Sequence, residues 1–120
     1  MSKHSIFKSF GFAFKGVRLA LKERNFILHL ISAVLVMSLG FFFGVTSMEW
    51  CLLLLCIGVV LTAELVNTAI EKLVDLVSPQ FNIQAGIIKD IAAASVLVFS
   101  IVSAIIGLII FIPYLLRLWT

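Results

Sequence analysis

Three acids and an amide recur inside a mostly apolar stretch, residues 61–76, LTAELVNTAIEKLVDL: Glu64, Asn67, Glu71 and Asp75. Their steps of three, four and four place them on one stripe of a helix, with Thr68 beside them. A carboxylate at the centre of a membrane helix costs about 2.5–3.5 kcal/mol, so these acids need a use. Taken with Lys89, the acids Glu23, Glu71, Asp75 and Asp90 offer one. Carboxylates at interface depth can hold hard cations such as Mg2+, which bind through one or two carboxylates plus phosphate oxygens, while a lysine offsets phosphate charge. That describes a nucleotide-phosphate site. Glu64 sits about 10 Å deeper along the same face, counting 1.5 Å per residue. Lipid headgroup hydroxyls reach that depth, and a carboxylate there suits proton acceptance. The axial order is phosphate donor outside, proton acceptor within. Two other uses of the stripe stay open: a polar contact between helices that holds an oligomer together, and an ion or proton path.

The usual soluble phosphate cradles are absent. Neither GxxxxGK[ST] nor GxGxxG occurs, and GFAFKG at 11–16 matches neither, so a kinase here must be of an unrelated design.

The elements that position these residues are membrane elements. A chain of 120 residues with 62% hydrophobic and 12% charged residues lies far outside the soluble range of about 45–50% apolar. It reads as an all-α integral membrane protein: one amphipathic surface helix at 1–24 and three transmembrane helices at 26–45, 50–77 and 91–114, in a single membrane domain. Three spans and their connections account for the length, and nucleic acid is not an expected partner. Because charges run through Arg24 and no small-residue cleavage site follows, the first span is expected to be retained rather than removed as a signal peptide.

In the first 22 residues, Phe7, Phe10, Phe14, Val17 and Leu21 alternate at helical spacing with Lys8, Lys15, Arg18 and Lys22. Such a helix lies in the headgroup region, apolar side down and cations on lipid phosphates. His29, one turn inside the first span, reads as a packing residue. Gly40 and Gly44 have helix-contact spacing, residues 46–49 read as a short connection, and Trp50 reads as an interface anchor. Cys51 and Cys56, five apart in an apolar run, read as packing residues.

The second span, 50–77, is about 40 Å long against a hydrocarbon layer of roughly 30 Å, so its acidic end emerges into the headgroups. Pro79 stops it, and PQFNIQA at 79–85 reads as a polar loop with Gly86 as a flexible point. Small residues Ala92, Ala93, Ala94, Ser95, Ser103, Ala104 and Gly107 give the third span close-packing faces. Of the nine Lys and Arg residues, six (Lys3, Lys8, Lys15, Arg18, Lys22, Arg24) precede the first span. That asymmetry predicts a cytoplasmic N-terminus, the 78–90 loop on the same side, and an outward C-terminus.

Two segments carry a specific likeness. Glu64-Leu-Val-Asn67-Thr-Ala-Ile-Glu71-Lys-Leu-Val-Asp75, followed by Lys89-Asp90-Ile-Ala-Ala-Ala-Ser-Val, resembles the signature of the bacterial membrane-integrated diacylglycerol kinase and undecaprenol kinase family. The likeness extends to Lys15-Gly16-Val17-Arg18 and to Glu23-Arg-Asn-Phe-Ile-Leu-His29. It implies a homotrimer with composite sites between subunits, in the bacterial inner membrane, that transfers the γ-phosphate of ATP to a lipid alcohol with Mg2+. By position it makes Glu64 the catalytic base and Glu23 and Glu71 the metal ligands. Asn67, Asp75, Lys89 and Asp90 become supports of nucleotide and site, with Asn82 and Gln84 in the nucleotide-facing region. Arg18 and Glu64 border the lipid, and Phe12 stands where some members have tyrosine. The segment with Asn25, Phe26 and His29, and the turn VDLVSP, are more similar to the undecaprenol branch than to the diacylglycerol branch. A small oligomeric ion-conducting or structural membrane protein is the non-enzyme alternative.

Overall fold

The computed structural model describes residues 3–120; Met1 and Ser2, at the start of the expected surface helix, lie outside the described residues. Those residues form four helices: α1 (Lys3–Ala20), α2 (Arg24–Phe43), α3 (Ser47–Val77) and α4 (Ile83–Arg117). The last three are long and apolar enough to cross a membrane. Large apolar side chains such as Leu35, Phe41, Leu55, Leu97 and Ile109 are exposed around all three. Contiguous apolar surface on that scale requires a lipid or protein environment, so the chain is a membrane protein.

Helix ends follow from local chemistry that the hydropathy pattern does not report. Gly44 adopts a left-handed φ of 62° and closes α2, its N–H reaching the Phe41 carbonyl and that of Val45 reaching Gly40. The expected helix-contact pair therefore divides, Gly44 serving the turn and Gly40 the packing. Residues 46–49 are not a loop: the Thr46 hydroxyl accepts from Glu49 N at 3.2 Å and the Glu49 carboxylate accepts from Thr46 N at 2.9 Å, a reciprocal cap that starts α3 at Ser47. Likewise Asn82 Oδ1 accepts from the N–H groups of Gln84 and Ala85, so α4 starts at Ile83. Ala85 and the expected flexible point, Gly86, are accordingly helical.

α3 is the spine. It packs most extensively on α4, with side-chain bonds between the two at both ends of α3, and also contacts α2 and α1. A five-residue connection, 78–82, makes α3 and α4 antiparallel neighbours. The apolar core lies at the end of the molecule remote from the acidic stripe, where Val45, Leu53, Ile110 and Phe111 are joined by Phe43, Trp50 and Tyr114. There Tyr114 donates its hydroxyl to Glu49, and Arg117 lies 5.3 Å over the Tyr114 ring, tying the start of α3 to the end of α4.

Trp50 packs inward on Gly40. A Cβ at Gly40 would come within 2.7 and 2.9 Å of the Trp50 ring, so the indole would have to move. Overpacking of this kind costs about 1–3 kcal/mol. Gly40→Ala is therefore expected to lower the denaturation midpoint in detergent, and an unchanged midpoint would show that the ring yields freely.

Candidate active site

The stripe read from sequence is present on α3, and its inner members are buried although they are polar: Glu64 is 3% exposed and Asn67 4%, with Thr68 beside them. Glu71 is partly buried and Asp75 exposed. Burial thus decreases toward the end of α3 that carries the loop, which is the gradient expected of a helix leaving the bilayer.

Each member meets a different neighbour. His29 Nε2 of α2 lies 3.7 Å from Glu64 Oε2. One turn on, Asn67 Nδ2 donates to Glu71 Oε1 at 3.2 Å, which orients that carboxylate. Lys72 Nζ lies 3.4 Å from Glu23 Oε1, joining the residue that precedes α2 to the stripe. At the open end, Lys89 Nζ of α4 donates to Asp75 Oδ1 at 2.5 Å. The charges of Glu71 and Glu23 are both close enough to act on Glu64. Asn67 Oδ1 is buried with no donor beside it.

Of the residues singled out from sequence, Glu23, Glu64, Asn67, Glu71, Asp75 and Lys89 fall along this line of contacts. Asn82 instead caps α4. Arg18, Gln84 and Asp90 are exposed and take part in none of the four side-chain pairs just described. Two participants had no evident role in the sequence. Lys72 is the one cation within the acidic run, which was the available signal. His29 read as packing because nothing along α2 announces a carboxylate on a different helix.

An apolar cleft of about 560 Å³ has His29, the neighbour of Glu64, in its lining. α2, α3 and α4 form its walls, and it runs from His29 and Ser32 past Val36, Leu53 and Gly107 to Phe111 and Leu115. Its residues on α2, His29 to Leu39, cover about 15 Å of helix at 1.5 Å per residue, half a hydrocarbon layer. An acid next to a residue that lines a greasy cleft is placed to meet the polar end of an amphiphile.

Among the described residues, no three His, Cys, Asp or Glu side chains gather into a metal-holding group. Carboxylates spread singly along the line, one of them fixed by an amide, do not make an all-protein cage. They fit Mg2+ delivered on phosphate oxygens, which takes one or two carboxylates from the protein.

Comparison with known proteins is consistent along the chain. The family model for prokaryotic diacylglycerol kinase matches residues 11–111. Undecaprenol kinase of Bacillus subtilis is 44% identical over 110 residues, covering 91% of this chain and 89% of that protein. Diacylglycerol kinase of Escherichia coli K12 is 30% identical over 101 residues, 83% of each chain. The diacylglycerol kinase of Synechocystis is 36% identical over 112 residues, 92% of this chain and 64% of that one.

Proposed function

The chain belongs to the prokaryotic diacylglycerol kinase family of lipid kinases, and from that premise we propose that it phosphorylates undecaprenol to undecaprenyl phosphate with ATP. The observation that carries this reading is Glu64, buried and 3.7 Å from His29, which lines one end of an apolar cleft. The lipid alcohol enters with its hydrocarbon in the cleft and its primary hydroxyl beside Glu64. Glu64 accepts the hydroxyl proton as the oxygen attacks the γ-phosphorus in line, and ADP leaves. No covalent enzyme intermediate is required. The ion-conducting alternative gains no support from a kinase family.

The remaining line of contacts supports the nucleotide. Asn67 holds Glu71 in orientation, and its unpaired Oδ1 awaits a donor. Asp75 positions the Lys89 ammonium, which offsets phosphate charge, with Asp90, Asn82 and Gln84 nearby in sequence on the same end of α4. Glu23 and Glu71 are the residues that would hold Mg2+, which when bound neutralises charge on the phosphates. Arg18, on α1, borders the lipid.

In this reading 1–120 is one membrane domain. α1, with its exposed phenylalanines, lies in the headgroups, and the N-terminus and site face the cytoplasm across the bacterial inner membrane. Three copies associate, with the site completed by a neighbour. Undecaprenol is favoured over diacylglycerol by the greater identity to the Bacillus enzyme, 44% against 30%.

The test is turnover by purified protein in mixed micelles with Mg-ATP, undecaprenol and diacylglycerol being offered in parallel at equal mole fraction. Faster phosphorylation of undecaprenol is expected. Preference for diacylglycerol reverses the lipid assignment, and no phosphorylation of either removes the kinase reading.

A further inference from the structure

His29 is one turn inside an apolar helix, its side chain 24% exposed, with Nε2 at 3.7 Å from Glu64 Oε2. The gap is longer than a hydrogen bond and within ion-pair range, and contacts of this kind tighten when substrate binds. Other charges near the pair are accounted for: Glu71 and Glu23 act on Glu64 from the side of the phosphate-binding end, and Glu23 is itself paired with Lys72. The wall that α4 contributes to the cleft brings Ser100 and Ser103 but no ionisable group. Among the described residues, the imidazole is therefore the one base in contact with a carboxylate that is itself 4% exposed.

A buried carboxylate that takes a proton at every turnover must give it up again. Glu64 is buried, whereas His29 beside it is 24% exposed at the end of the cleft nearest the polar stripe. We propose that His29 is a positioning and proton-relay residue for Glu64, accepting from it the proton taken from the lipid alcohol and passing it to water. This rests on Glu64 being the base. The steps balance: the lipid O–H bond breaks as Glu64 gains the proton and the γ-phosphorus exchanges its bond to ADP for one to the lipid oxygen. Then the Glu64 O–H bond breaks as Nε2 gains the proton, and the imidazolium releases it to solvent. The products are the lipid phosphate, ADP and one proton.

The role needs a side chain that can take up and release a proton. In His29→Gln, which keeps a polar side chain but cannot carry the proton, kcat should drop about tenfold or more while the KM for Mg-ATP holds. His29→Leu should behave alike. A His29→Gln protein with the wild-type kcat, or one whose kcat and KM for Mg-ATP change together, overturns the relay and leaves a packing residue. Glu64→Gln, assayed alongside, separates the two ideas: if it turns over normally, the base assignment fails first.

A measurement without turnover guards against misfolded variants. With His4 replaced by glutamine, NMR of 13C-labelled histidine reports on His29 alone. Its resonance at fixed pH should shift when Glu64 becomes glutamine, and an unmoved resonance denies the contact.

Discussion

Glu64→Gln is expected to lose lipid phosphorylation by about 10²–10⁴-fold, the share that a positioned proton acceptor supplies, while Mg-ATP still binds. Glutamine matches glutamate in shape, so the loss would belong to the missing base and not to packing. The carboxylate is buried near His29, which lines the cleft, and no second acid in the line of contacts is equally enclosed: Glu71 is partly buried, Glu23 more open and Asp75 exposed. The deficit should appear in kcat for undecaprenol and diacylglycerol alike, since both present a primary hydroxyl. Radiolabelled phosphate transfer in micelles measures it, and turnover within a few-fold of wild type would reject the assignment.

Glu71→Gln should act on the other reactant. Its amide partner, Asn67, can bond a glutamine oxygen as it now bonds Oε1, so local structure is kept while one negative charge facing the phosphates is lost. Affinity for Mg-ATP should fall by about 10–100-fold, the range seen when the surroundings of a bound metal are altered. The affinity for lipid should hold. Calorimetry with Mg-ATP on detergent-solubilised protein gives the number, and an unaltered dissociation constant would remove Glu71 from the metal-binding set.

The two variants also show what was legible in the chain before its fold was known. Glu64, Asn67, Glu71 and Asp75 were readable as one face because a single helix carries them, and helical periodicity needs only spacing. The three long apolar helices were readable for the same reason. Helix starts were not, because Thr46 with Glu49 and Asn82 with Gln84 act through hydrogen bonds that hydropathy does not register. His29 beside Glu64, Lys72 beside Glu23 and Tyr114 beside Glu49 were out of reach altogether. Each joins residues far apart in sequence, the last pair 65 positions apart, and only the packing of the helices decides such meetings.

The clasp of Tyr114 and Glu49 has a consequence for how greasy reactants come and go. Aromatic and aliphatic side chains knit together the ends of three helices remote from the acidic stripe, whereas the ends that carry the stripe are joined by ion pairs of partly exposed groups, Lys72 with Glu23 and Lys89 with Asp75. Bonds of that exposed sort are worth about 0–1 kcal/mol each. The bundle resembles a clothes peg, with a firm spring at one end and jaws that part at small cost, so a bulky phosphorylated product can slip sideways into the leaflet without the helices losing their alignment.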